Sequence, residues 1–228
     1  ADAKRAIAMH AASRIADGDS LMLDTGTTTS ILARELLRKR NLTVVTNSSD
    51  IARTLATVNG NRVYMAGGEL NGDNGAAFGA SAVQFVSTFR VRHAFISIAA
   101  ISAEAGPSDD YLAEAEFARM VLSCGERRYL LSDASKFGRR ALIRVCSFGE
   151  INVLITDQAP PASIASVLQD AGVTIEIAQR CSYRPKKHKP ILPPFDTKRG
   201  RDEAAELAAQ AKAGLKEPVP AGAGLLAA

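Results

Sequence analysis

From residue 20 to residue 177, short aliphatic and β-branched runs alternate with longer amphipathic segments. That alternation narrows the fold more than any other feature of the chain. Strands are expected over 20–23, 42–46, 62–65, 93–99, 128–132, 152–156 and 173–177. Helices are expected over 3–16, 30–40, 49–57, 81–89, 112–124 and 162–171. Ile31, Leu32, Leu36 and Leu37, for example, fall on one helical face. A chain that returns to strand after each helix builds an α/β fold, a mostly parallel sheet flanked by helices, with right-handed crossovers. Ligands of such sheets bind beyond the carboxyl ends of the strands. The strand ends are therefore where chemistry is to be sought.

Composition sets the outer bounds. At 228 residues and 46% hydrophobic, the chain can bury a real core in one domain with an appendage. No apolar run approaches the roughly 18–20 residues a transmembrane helix needs, so no membrane partner is expected. Residues 1–5 lack the apolar stretch of a signal peptide. Cys124, Cys146 and Cys181 are odd in number and far apart, which speaks against a disulfide scaffold or zinc cluster and suits a reducing cytoplasm. A net charge of +4 suggests nucleic acid. However, residues 182–228 hold nine basic and five acidic residues, leaving 19 of each in residues 1–181. The expected division is a body, 1–181, and a flexible, basic, Pro/Ala-rich tail, 182–228, with a helical patch near 202–215. Lys186, Lys187, Lys189, Lys198, Arg199 and Arg201 of that tail could hold phosphate backbones; a solvated extension is the simpler reading.

The strand at 20–23 ends in Asp24-Thr25-Gly26-Thr27-Thr28-Thr29, and a helix follows at once. A glycine among four threonines at a helix start makes an anion site: free N–H groups and the helix dipole point at the ligand, and the hydroxyls add donors. A helix cap needs one such residue. The pattern is not G-x-x-x-x-G-K-[ST], which argues against a nucleoside triphosphate, nor is it G-x-G-x-x-G. The strand at 42–46 ends in Thr46-Asn47-Ser48-Ser49, which reads as an ordinary N-cap or as a second wall of the same pocket. Gly67 and Gly68 follow the strand at 62–65 and serve equally for close approach to a ligand or for a plain turn.

The strand at 128–132 runs into Asp133-Ala134-Ser135-Lys136-Phe137-Gly138. Lys136 could bind a phosphate as a mobile point charge, or simply face water. Segment 101–111, with Glu104, Asp109 and Asp110, is long, glycine-containing and acidic: a lid, or a polar loop. His10, His93 and His188 have no nucleophile nearby in sequence and no metal-ligand spacing. Glu114 and Glu116, two apart on a helix, cannot share a face, so one faces the pocket and the other water. No catalytic, metal or cofactor residue is assigned. The candidate effector residues are Asp24, Thr25, Gly26, Thr27, Thr28, Thr29, Thr46, Asn47, Ser48, Gly68 and Lys136. Gly26 is expected to be needed for a positive φ or for phosphate packed on its Cα.

These segments in this order, with Gly79-Ala80 and the 114–119 stretch, resemble the C-terminal effector-sensing domain of DeoR-type bacterial transcriptional regulators, in the glycerol-3-phosphate repressor-like branch. The resemblance covers roughly residues 3–180. It implies a ribose-5-phosphate-isomerase-like fold that binds a phosphorylated sugar or polyol, glycerol-3-phosphate first, and relays occupancy to operator DNA without chemistry or cofactor. It also implies a homodimer or homotetramer. Such regulators usually carry a winged helix-turn-helix before the sensor; here the chain starts at the sensor's first helix, so that DNA reader is expected to be missing. The tail after Cys181 is unlike the family. The rival is an aldose–ketose phosphate isomerase of the same fold, which needs a carboxylate to shuttle a proton. After 95–99 the chain reads Ile98-Ala99-Ala100-Ile101-Ser102, without one, and Glu104 is the next acid.

Overall fold

The computed structural model describes residues 2–179; the expected tail, Cys181 and His188 lie outside them. The chain begins with α1 (Asp2–Ser13), β1 (Ser20–Leu23), α2 (Thr27–Glu35), β2 (Thr43–Thr46), α3 (Ser49–Leu55) and β3 (Arg62–Met65). There follow α4 (Ala80–Ser87), β4 (Val91–Ser97), β5 (Ala100–Ser102), β6 (Gly106–Asp109) and α5 (Leu112–Cys124). The last elements are β7 (Gly125–Leu131), β8 (Ile143–Arg144), β9 (Val153–Thr156), α6 (Ala162–Asp170) and β10 (Thr174–Ile177).

Seven strands form a wholly parallel sheet in the order β10-β9-β7-β4-β1-β2-β3. The chain winds outward from β1 to β3, then crosses back to build the other half from β4. The direction of winding thus reverses between β1 and β4, the position where open sheets leave a crevice. Side chains alternate faces along each strand. Leu21, Leu23, Phe95 and Leu131 pack with Ile7, Leu32 and Ile51 of α1, α2 and α3. Met22, Ile96 and Leu130 pack with Val86, Val121 and Leu168 of α4, α5 and α6. Both faces are buried, which is why these strands read as nearly continuous apolar runs. Each large core side chain stabilises the fold by about 1.5–3 kcal/mol.

Two expectations are corrected. α2 starts at Thr27, not 30, so three threonines lie in its first turn rather than in a loop before it. The first turn of a helix needs no apolar periodicity, and the sequence pattern therefore misses it. Segment 101–111 is neither lid nor loop: β5 and β6 pair antiparallel, with β8 beside them. Ile101, Pro107 and Ser108 are buried, and the turn closes at Gly106 in the left-handed region, φ 74°. Gly106-Pro107 reads as a breaker, and strands of three and four residues are too short to show alternation.

Candidate functional site

A cavity of about 530 Å³ opens over the carboxyl ends of β1 and β4. Its upper wall is Thr25, Gly26, Thr27 and Thr28, where β1 gives way to α2. Gly26 is the N-cap of α2 and carries no side chain, so no side-chain hydrogen bond caps the helix. Its φ of 163° is extended backbone open to any residue, so the expectation of a positive φ fails. The glycine is favoured instead by crowding, since a Cβ there would stand 2.1 Å from the Ser97 Oγ at the end of β4, and Ser97 would have to turn away. The Thr29 hydroxyl is turned inward and donates to the Gly26 carbonyl at 3.0 Å. The loop is thus shut against β4 on one side and open to the cavity on the other.

Acids line the same cavity. Asp24, 5% exposed, accepts the Ser97 N–H on Oδ2 at 3.0 Å, while its Oδ1 has no partner. Asp109 accepts the Ala99 N–H on Oδ1 at 3.0 Å. Glu114, from the first turn of α5, accepts the Asn74 amide at 3.1 Å. Burial holds the Asp24 carboxyl well above the ordinary range against the Ser97 amide, and the charges of Asp109 and Glu114 push the same way. Burial, then the Glu114 charge, brings Asp109 up to about 7. Burial also raises Glu114. Lys136 enters from a short 3-10 turn, Ala134–Lys136, capped by Asp133, whose carboxylate accepts the amide and the hydroxyl of Ser135. Lys4 of α1 and Arg34 of α2 also reach the cavity, the latter bonded to Asp50 at 3.2 Å. Among the described residues, no group of His, Cys, Asp and Glu could hold a metal ion.

The model of the DeoR C-terminal sensor domain matches residues 1–158. The chain belongs to the DeoR family. It is 32% identical to the glycerol-3-phosphate regulon repressor of Escherichia coli (strain K12), over 76% of this chain and 69% of that protein. It is 31% identical to the HTH-type transcriptional repressor CsqR of the same organism, over 77% of this chain and 67% of that one. These relatives are transcriptional repressors, not enzymes. Ribose 5-phosphate isomerase A from Neisseria gonorrhoeae aligns with 60% of this chain and 53% of its own, at 16% identity and a TM-score of 0.43.

In this DeoR sensor domain, Asp24, Thr25, Gly26, Thr27, Thr28 and Lys136 line one cavity. Thr29, Thr46, Asn47, Ser48 and Gly68 are not among its lining residues. Thr46 Oγ1 accepts the Ser48 N–H at 3.1 Å, and the Ser48 hydroxyl caps α3 by accepting the Ile51 N–H at 3.4 Å. Asn47 donates its side-chain amide to the Ala77 carbonyl at 2.9 Å, and its backbone carbonyl accepts the Ala77 N–H. Gly68, φ 145°, lies beside Ala77 and the Phe78 carbonyl. These residues fasten the connection that carries Asp73, Asn74 and Phe78 to the cavity wall.

Of the other acids, Glu114 faces the cavity and Glu116 is exposed. Glu104 pairs with Arg140 at 3.0 Å on the surface, away from the cavity. His93 lies buried within β4, bonded to Asp19 at 3.2 Å and Tyr129 at 3.3 Å. Sequence reasoning missed Asp109, Ser97, Lys4 and Phe117. Asp109 had a signal, as an acid closing a short turn that follows a strand end.

Among the described residues no helix is long and apolar enough to cross a membrane.

Proposed function

We propose that the crevice between β1 and β4 is the effector site of this sensor, and that its effector is a phosphorylated sugar or polyol. The observation that carries the reading is the glycine-capped start of α2, whose first-turn N–H groups no side chain caps, facing the cavity that Lys136 also lines. The phosphate sits over residues 25–29, held by backbone N–H groups and the Thr27 and Thr28 hydroxyls. Asp24 faces the hydroxyl end, because a carboxylate beside a phosphate would repel it. The candidate residues of the second loop, Thr46, Asn47 and Ser48, with Gly68, act by holding the wall. Glycerol-3-phosphate is the first candidate effector, supported by the glycerol-3-phosphate regulon repressor among the relatives. Occupancy alters operator binding through an N-terminal helix-turn-helix in a cytoplasmic homodimer or homotetramer.

Titration with glycerol 3-phosphate should give saturable binding and thermal stabilisation, about 2.7 kcal/mol at a hundredfold excess over Kd. Glycerol should give none. An equal response to the two, or no response to a panel of triose, pentose and hexose phosphates, overturns the proposal.

A further inference from the structure

We infer that this sensor excludes phosphorylated acids: the acid-lined wall of the crevice admits the hydroxyls of a sugar or polyol phosphate and rejects the carboxylate of its oxidised counterpart. The inference rests on the effector reading above and adds the chemical class that the site refuses.

Asp24 and Asp109 are clipped to the amides of Ser97 and Ala99, two residues apart on the segment leaving β4. Both acids line the cavity, and the charge of Asp109 acts on Asp24. Glu114 joins them from α5, held by Asn74. Burial holds Asp24 towards its neutral form, so the charges at this wall are those of Asp109 and Glu114. A hydroxyl has a proton to give; a carboxylate offers only acceptors and a second negative charge.

The groups that act electrostatically on Asp109 are Glu114 on α5, Asp110 beside it and Lys136 after β7. Lys136 is the one cation of this set, so the acid-lined wall stays electronegative. Because Asp109 titrates at about 7, the exclusion is strongest above neutrality and relaxes as the pH falls and Asp109 takes up a proton.

The test is calorimetric titration of the whole chain with two matched pairs: glycerol 3-phosphate against 3-phosphoglycerate, and glucose 6-phosphate against 6-phosphogluconate. In each pair the phosphate is the same and the far carbon is an alcohol or a ring hemiacetal in one member and a carboxylate in the other. Protonation of the phosphate near pH 6 is common to both members and cancels in their ratio. At pH 8 the uncharged-end member of at least one pair should bind at least about tenfold more tightly. That ratio should shrink towards pH 6, and it should shrink at pH 8 in Asp109→Asn, whose amide oxygen still accepts the Ala99 N–H. Glu114→Gln, which keeps an acceptor for Asn74, should shrink it as well. Equal affinity within every pair that binds, or a ratio that neither substitution moves, overturns this inference and leaves the effector proposal standing. Failure of all four compounds to bind, with no response to the wider phosphate panel, overturns both.

Discussion

The two loops that follow β1 and β2 are alike in chemistry and differ in where their polar groups are bonded. Both leave a parallel strand, both are rich in hydroxyls, and both start a helix. In the second loop the polar groups are spent within the protein except for the Asn47 Oδ1, which is buried without a partner. Thr46 takes the Ser48 amide, Ser48 caps α3, and Asn47 is bonded to Ala77 through side chain and backbone. In the first loop the cap is a glycine with no side chain, and only Thr29 turns back to bond its own loop. The lesson is that hydroxyl count at a helix start does not mark a ligand site. What separates the two loops is whether the helix N–H groups already have side-chain partners.

Substitutions should separate the loops by which quantity they move. The largest effect belongs to Asn47→Asp. It replaces a buried donor to the Ala77 carbonyl with a second acceptor, and should destabilise the fold by about 3 kcal/mol or more in denaturant melts at pH 7. A loss under about 1 kcal/mol would show that Asn47 is not fixed by Ala77. Next is Thr28→Val in the first loop. It should cost glycerol 3-phosphate about 1.5–3 kcal/mol of binding, roughly ten- to hundredfold in Kd, with the melting temperature unchanged. A stability loss without an affinity loss would make the first loop structural, like the second.

Asp24→Asn reverses the sign seen at Asn47. Burial raises the Asp24 carboxyl in the folded protein, so the unfolded chain gives up its proton at a lower pH than the folded one. Stability from this group is therefore full below about pH 4, its unfolded value, and is lost as pH rises. Removing the titration should stabilise the free protein by about 1–2 kcal/mol at pH 7.5, and by nothing near pH 3. Melts of both proteins across that range decide it, and a gain that does not depend on pH would assign the effect to packing. Ser48→Ala is milder still. Loss of the α3 cap should cost about 1 kcal/mol and 2–4 °C in Tm, with ligand affinity intact.

How much of this could be read from the residues follows from the range of each interaction. The parallel sheet was legible because both its faces are buried and its strands are apolar runs, such as Leu21-Met22-Leu23 against Val153-Leu154-Ile155. The first loop was legible because its residues are consecutive. The acid-lined wall was not, because Asp109 reaches Ala99 only after the β5–β6 turn at Gly106 has folded back, and nothing local says that three-residue β5 is a strand. The preference for glycine at position 26 was legible, but its cause was not. Ser97 is 71 residues away in sequence and meets the loop only because β1 and β4 are neighbours in the sheet. Lys4 sits in an unremarkable first helical turn and is brought to the cavity solely by how α1 is placed.

The smallest expected effect tests the charge rather than the loops. Lys136 is half-buried on a turn that Asp133 caps, and its charge bears on both Asp133 and Asp109. Lys136→Met keeps the aliphatic stem and removes only the ammonium group, so the fold should be unaffected. A lysine partly open to solvent acts through a high dielectric and is screened by salt, which limits its worth to about 1 kcal/mol, or some fivefold in affinity. Binding of glycerol 3-phosphate should therefore weaken about fivefold at low salt, and the difference from wild type should fade as ionic strength rises towards 1 M. The backbone donors of the first loop are fixed in place and should supply the remaining, salt-insensitive affinity. A hundredfold loss that persists at high salt would shift the weight of phosphate recognition from the glycine-capped helix to the lysine, and the contrast between the two loops would then explain the shape of the cavity but not what it binds.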